Sequence, residues 1–168
     1  MPDAALVWVL DTSALVDFKR LIGVAEQWQA FKRLEQLVAA GEVAMPRQVI
    51  NEASRIAHPD LPGAWAPGVR EAIRYPIDVG YEYLQQVMAV AGDVVDPNKT
   101  EEDADPYVAA LALEIGAQGP GPVVVTTDEV DHLPIRIALA TACDRLGIAH
   151  VDSRTFLTAV GIPVKPRP

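Results

Sequence analysis

Short apolar runs that stop at a carboxylate, separated by segments of helical period, leave this chain few folds. Leu6-Val7-Trp8-Val9-Leu10 runs directly into Asp11, and Val123-Val124-Val125-Thr126 is followed by Thr127 and Asp128. Runs of this length, with β-branched and aromatic members and no polar alternation, predict buried strands. Glu42–Met45 and Ile148–Val151 predict two shorter ones. Strands alternating with helices predict an α/β domain with a central, mostly parallel sheet flanked by helices. In such a sheet the C-terminal ends of parallel strands share one edge, where α/β folds place their sites.

The helical segments follow from apolar spacing. A short helix runs from Thr12-Ser13 to about Lys19, and a longer one covers Leu21–Ala40, with Val24, Trp28, Phe31, Leu34 and Val38 in its apolar stripe and Gly41 as its stop. Arg47–Ile56 reads as a helix, and the Pro- and Gly-rich stretch 57–80 holds one over Pro67–Arg74. Tyr81–Ala91 and 106–115 are helical, separated by an acidic loop at 92–104. Ile135–Leu146, stopped by Gly147, and Ser153–Val160 are the last helices. The length of 168 residues predicts one domain over 1–162, with 163–168 as an extended, mobile tail.

Composition narrows the function classes. No apolar stretch approaches the roughly 18 residues of a membrane span. The start Met1-Pro2-Asp3 lacks the features of a signal peptide, and the single cysteine, Cys143, excludes an intrachain disulfide, so a cytoplasmic protein is expected. Cys143 lies in an apolar helical run and reads as a packing thiol. With a net charge of −9 and only 14 Lys and Arg, a broad basic face for nucleic acid is not expected. An enzyme that holds a phosphodiester through a bound metal remains compatible with that charge.

Four acidic residues stand at element boundaries: Asp11 after the first strand, Glu52 on the helix at 47–56, Asp105 before Pro106, and Asp128 after the strand at 123–126. Each has an ordinary account. Asp11 and Asp128 suit turns, and Glu52 suits the edge of an apolar stripe. Asp105 suits an N-cap with Pro106 at the first helical position, while Asp103 belongs with Glu101 and Glu102 in a solvated loop. Gathered at one sheet edge, the four carboxylates would repel unless a cation lay between them, and clustered oxygen ligands suit Mg²⁺ or Mn²⁺. Ser13 and Thr126 are placed to hydrogen-bond a carboxylate or a ligand oxygen. Lys19, Arg20 and Arg47 are candidate phosphate contacts, with ordinary surface charge as the competing account. His58, His132 and His150 show no metal-ligand spacing.

Four segments in order, VLDTSALVD at 9–17, VINEASR at 49–55, DADPYVAALALE at 103–114 and VVTTDE at 124–129, resemble the PIN-domain nucleases, in particular a larger subgroup related to the VapC toxins. The resemblance implies a single PIN-like domain with Asp11, Glu52, Asp105 and Asp128 as an acidic quartet. One or two Mg²⁺ or Mn²⁺ ions would bind there, with Ser13 and Thr126 in support. It implies a divalent-metal-dependent endoribonuclease acting on RNA, the toxin of a toxin–antitoxin pair, silenced by a cognate antitoxin and often a homodimer. The alternative is a PIN-like binding module without activity. A haloacid-dehalogenase-type enzyme needs a second Asp where Ser13 stands. A receiver domain needs a Lys where His150-Val151-Asp152 offers none.

Overall fold

The computed structural model describes residues 5–55, 60–119, 121–132 and 134–168. Four strands, Val7–Leu10 (β1), Val43–Ala44 (β2), Val123–Thr126 (β3) and Ala149–Val151 (β4), form an all-parallel sheet in the order β2-β1-β3-β4. The apolar runs form strands because every residue of β1 is buried, which a parallel strand covered on both faces requires. The chain leaves β1 for β2 on one side and later returns to β3 on the other. The crevice beyond the carboxyl ends of β1 and β3 is therefore a topological switch point, the place where open α/β sheets bind ligands.

Eight α-helices flank the sheet among the described residues: Thr12–Leu21 (α1), Gln27–Ala39 (α2), Arg47–Ser54 (α3), Leu61–Val69 (α4), Tyr81–Ala91 (α5), Ala104–Gln118 (α6), Leu139–Leu146 (α7) and Ser153–Ala159 (α8). α6 packs on β1 and β3, and α5 and α7 pack on α6; α1 contacts α3, α4 and α8. An aromatic chain joins the second group to the sheet. Phe18 of α1 stacks on Phe156 of α8 at 5.7 Å, Phe156 meets Trp8 of β1 edge-on at 5.2 Å, and Phe31 of α2 meets Trp65 of α4 at 5.4 Å. Gly41 and Gly147, the stops read from sequence, take φ of +79° and +70°, which glycine adopts without a Cβ clash.

Several boundaries differ from the sequence reading. The helix expected over Leu21–Ala40 is two: α1 continues to Leu21, and a 3₁₀ turn at Val24–Glu26 precedes α2. Val24 and Trp28, assigned to the apolar stripe, are 82% and 62% exposed, so periodicity carried across the break was accidental. The helix expected at Pro67–Arg74 lies at Leu61–Val69, because Asp60 accepts a hydrogen bond from the Gly63 N–H at 2.8 Å and starts it earlier. α7 begins at Leu139 rather than Ile135, since Arg136 turns into the site described below and the Ile137 N–H is used by the Asp93 carbonyl at 3.0 Å. Ile56 and His58 lie outside the described residues, as does the start Met1-Pro2-Asp3. The C-terminal segment is extended, and the Lys165 N–H donates to the Leu21 carbonyl at 2.7 Å. Cys143 is fully buried and burial pushes its thiol up to about 12, which fits a packing role.

Phe18 is fully buried at the centre of the aromatic chain. Phe18→Ala is expected to cost about 3–5 kcal/mol in urea denaturation, with Trp28→Ala within about 1 kcal/mol of wild type.

Candidate metal centre

At the switch point, one carboxylate oxygen each from Asp11, Asp105 and Glu129 lie within 4.8 Å of one another. The three come from distant parts of the chain: the end of β1, the first turn of α6, and the segment after β3. Asp11 and Asp105 are 1% and 6% exposed, so their charges face one another with little water between.

Asp11 is fixed by its neighbours. Its Oδ1 accepts from the Thr12 N–H at 2.7 Å, which also caps α1. Its Oδ2 accepts from the Ser13 hydroxyl at 2.7 Å and the Thr127 hydroxyl at 2.9 Å. Burial nonetheless pushes its pKa up to about 6; the Ser13 and Thr127 bonds oppose the rise and the nearby Glu129 charge adds to it. Burial also raises Asp105 well above the ordinary carboxylate range, reinforced by Asp11, Glu129 and Asp103, with Arg136 acting against it. Arg136, read by no sequence motif, donates from Nη1 to Asp105 Oδ2 at 2.7 Å and pairs with Glu129 through the same nitrogen.

Of the residues expected at the site, Asp11, Asp105 and Ser13 meet here. Asp128 does not. Its carboxylate turns away and accepts from the backbone N–H of Ser153 at 2.8 Å and from the Ser153 hydroxyl, at the start of α8. Burial and a hydrogen bond with Asp17 push it up to about 6. Glu129 stands with the pair in its stead, and Thr127 takes the role assigned to Thr126, whose buried hydroxyl has no partner among the described residues. The reason is parity. Alternate residues of an extended chain face opposite sides, and Thr127 N–H continues the ladder to the Val151 carbonyl at 3.0 Å. Thr127 and Glu129 therefore share a side that Thr126 and Asp128 do not. In Thr126-Thr127-Asp128-Glu129 the pattern Thr-x-acid occurs twice, one residue apart, so nothing in the motif selects the register.

Glu52 adjoins the three without joining the group. Its Oε2 accepts from the Thr12 hydroxyl at 2.7 Å, and its Oε1 from the Ala104 N–H at 3.0 Å and Lys99 at 3.2 Å. It ties α3 to the N-termini of α1 and α6. Asp103, expected in a solvated loop, is the N-cap of α6 and is buried. It accepts from the N–H groups of Asp96 at 3.0 Å and Asp105 at 3.3 Å, which leaves Asp105 inside the first turn rather than at the cap. Lys19, Arg20 and Arg47 are paired with Asp60, Asp17 and Asp78. His132 accepts from the Ala138 N–H at 3.3 Å and His150 pairs with Asp144, so neither joins the three carboxylates.

The donor set fits a hard divalent cation. Oxygens around an octahedral Mg²⁺ at roughly 2.1 Å lie up to about 4.2 Å apart, which falls inside the 4.8 Å that bounds the three carboxylate oxygens. Without a cation, ionising all three carboxylates in one buried place is unfavourable, as the raised Asp11 and Asp105 show.

A carboxyl raised in the folded state binds its proton more tightly there than in the unfolded chain. Its contribution to stability is complete below the ordinary 3.8 and is lost as pH rises through about 6 for Asp11. In excess chelator the melting temperature is expected to fall by roughly 5 °C from pH 5 to pH 7, and Asp105→Asn to flatten part of that fall.

A comparison with curated proteins finds no match. A family model described as a domain of unknown function, DUF4411, matches residues 8–163, a span that includes β1 from its second residue, α6, β3 and all three carboxylates. The chain belongs to the DUF4411 family.

Proposed function

We propose that this protein is a divalent-metal-dependent endoribonuclease of the PIN type. The observation that carries the reading is the meeting of Asp11, Asp105 and Glu129 at the switch point of a parallel sheet, from segments whose order and spacing resemble the PIN nucleases. Asp11, Asp105 and Glu129 would hold Mg²⁺ or Mn²⁺. The ion supplies Lewis acidity toward a phosphodiester and lowers the pKa of water at neutral pH.

The chain's own residues do the positioning. Thr12, Ser13 and Thr127 aim Asp11, and the Thr127 hydroxyl also accepts from the Glu129 N–H at 3.1 Å, so one side chain sets two of the three carboxylates. The Glu129 carbonyl accepts from the Ala140 N–H at 3.3 Å, which fastens it to α7. Glu52 holds α6 against α1, so Asp105 keeps its distance from Asp11. Hydrolysis adds water across one P–O bond: the attacking oxygen joins phosphorus, the bond to the leaving nucleoside oxygen breaks, and that oxygen takes up a proton.

Through the same resemblance the proposal extends to a toxin of a toxin–antitoxin pair, acting in the cytoplasm as a homodimer and silenced by a cognate antitoxin. Among the described residues no helix is long and apolar enough to cross a membrane. A second reading, a metal-binding PIN-like module without turnover, is favoured by the net charge of −9 and by the pairing of Lys19, Arg20 and Arg47 with carboxylates.

The test is cleavage of a panel of structured and single-stranded RNAs with Mn²⁺ or Mg²⁺. Asp11→Asn, Asp105→Asn and Glu129→Gln are each expected to lose about 100-fold or more, while Asp128→Asn retains activity and loses stability. Wild type that binds Mn²⁺ but cuts nothing supports the second reading, and wild type that neither binds Mn²⁺ nor cuts refutes both. Thr127→Val, which removes the donor to Asp11, is expected to weaken Mn²⁺ binding roughly tenfold by titration calorimetry.

A further inference from the structure

The acidic centre already contains a cation, the guanidinium of Arg136, and its mode of attachment is unusual for a permanent structural pair. An arginine fixed between carboxylates ordinarily engages them as a fork through two nitrogens. Here a single hydrogen bond, from Nη1, reaches Asp105, the same nitrogen meets Glu129 as an ion pair only, and Nε is buried with no partner among the described residues. A buried donor left unpaired costs free energy that a different position of the side chain would recover. Partial burial also works against the charge on Arg136, and Glu129 and Asp105 outweigh it, so the group stays a cation. Asp103 adds to the negative field it faces, and Arg145 and His132 line the groove beside it.

The guanidinium has somewhere to go. Arg136 precedes α7 and lines an open groove of ≈ 440 Å³ with Asp93, His132, Ile135, Thr141 and Arg145. A divalent ion among the three carboxylates and the guanidinium on two of them draw on the same two side chains, Asp105 and Glu129. From this shared use we infer that Arg136 is a displaceable resident cation: it holds the carboxylates together when no metal is bound, competes with the metal for Asp105 and Glu129, and turns into the groove when the metal binds. Arg136 is thus a positioning residue that sets the metal affinity of the centre. The inference rests on the metal-centre reading above and adds that the centre is never without a positive charge.

The experiment uses the full chain and Mn²⁺ alone. Titration calorimetry in wild type, Arg136→Met and Arg136→Lys is expected to give Mn²⁺ binding about tenfold tighter in Arg136→Met than in wild type, with Arg136→Lys between them. In parallel, arginine-directed dicarbonyl labelling of wild type, read by mass spectrometry, is expected to speed up at Arg136 on adding saturating Mn²⁺ while Arg145 is unchanged. The labelling needs no variant and decides the matter if Arg136→Met fails to fold. Mn²⁺ binding of equal or weaker affinity in a folded Arg136→Met, or labelling of Arg136 that does not rise with Mn²⁺, overturns the displacement and leaves the metal centre standing. No Mn²⁺ binding to wild type or to either variant overturns the metal centre and the displacement together.

Discussion

Three carboxylates, one oxygen of each within 4.8 Å of the others, are the constraint around which the rest of this molecule is arranged. Like charges at that distance and out of water raise each other's pKa, and no such group persists without a counter-charge or a proton. Here Arg136 supplies part of the counter-charge and burial lifts Asp11 and Asp105 for the remainder. The sheet brings the carboxylates together because β1 and β3 are parallel neighbours, so their exits share an edge. α6 lies across both strands and delivers Asp105 from its first turn.

Around that centre the hydroxyl and backbone donors form a frame. Thr127 joins Asp11 to Glu129; Ser13 joins Asp11 to the Asp128 N–H at 3.1 Å; Thr12 joins Glu52 to α1. Glu52 and Asp103 share Lys99 and between them satisfy the first N–H groups of α6. Asp128, on the opposite side, fastens the start of α8 and with it the face of the molecule carrying the aromatic chain. Side chains that look alike in sequence therefore divide between the site and the scaffold, and all of them bear on where the three carboxylates stand.

Much of the fold was legible. The apolar runs at 6–10 and 123–126, the helix at Tyr81–Ala91 and the glycine stops at Gly41 and Gly147 carry their own local signals. So do Asp11 and Asp105, whose positions follow from a strand end and a helix start. Other assignments turned on a one- or two-residue choice that local signals do not make. Asp103 and Asp105 are both acceptable helix caps before Pro106, and Asp103 won because Asp96 and Lys99 complete its bonds across the loop. Asp128 and Glu129 are both acids after a strand, and the ladder contact to β4 decided which one faces Asp11. Arg136 was invisible because it belongs to no motif, and the strong apolar period of 135–146 concealed it inside an expected helix.

By itself the sequence determined the class of fold and the sheet edge at which carboxylates gather, since apolar runs, helical period and carboxylates at strand ends are local properties of the chain. Tertiary structure decided which carboxylates face one another, that Thr127 rather than Thr126 supports them, and that an arginine sits among them. The physical reason is that side-chain facing depends on strand register and on contacts between segments more than a hundred residues apart, such as Ser13 with Asp128 and Asp11 with Thr127. A period of two makes a single residue's shift enough to turn a carboxylate away from its neighbours.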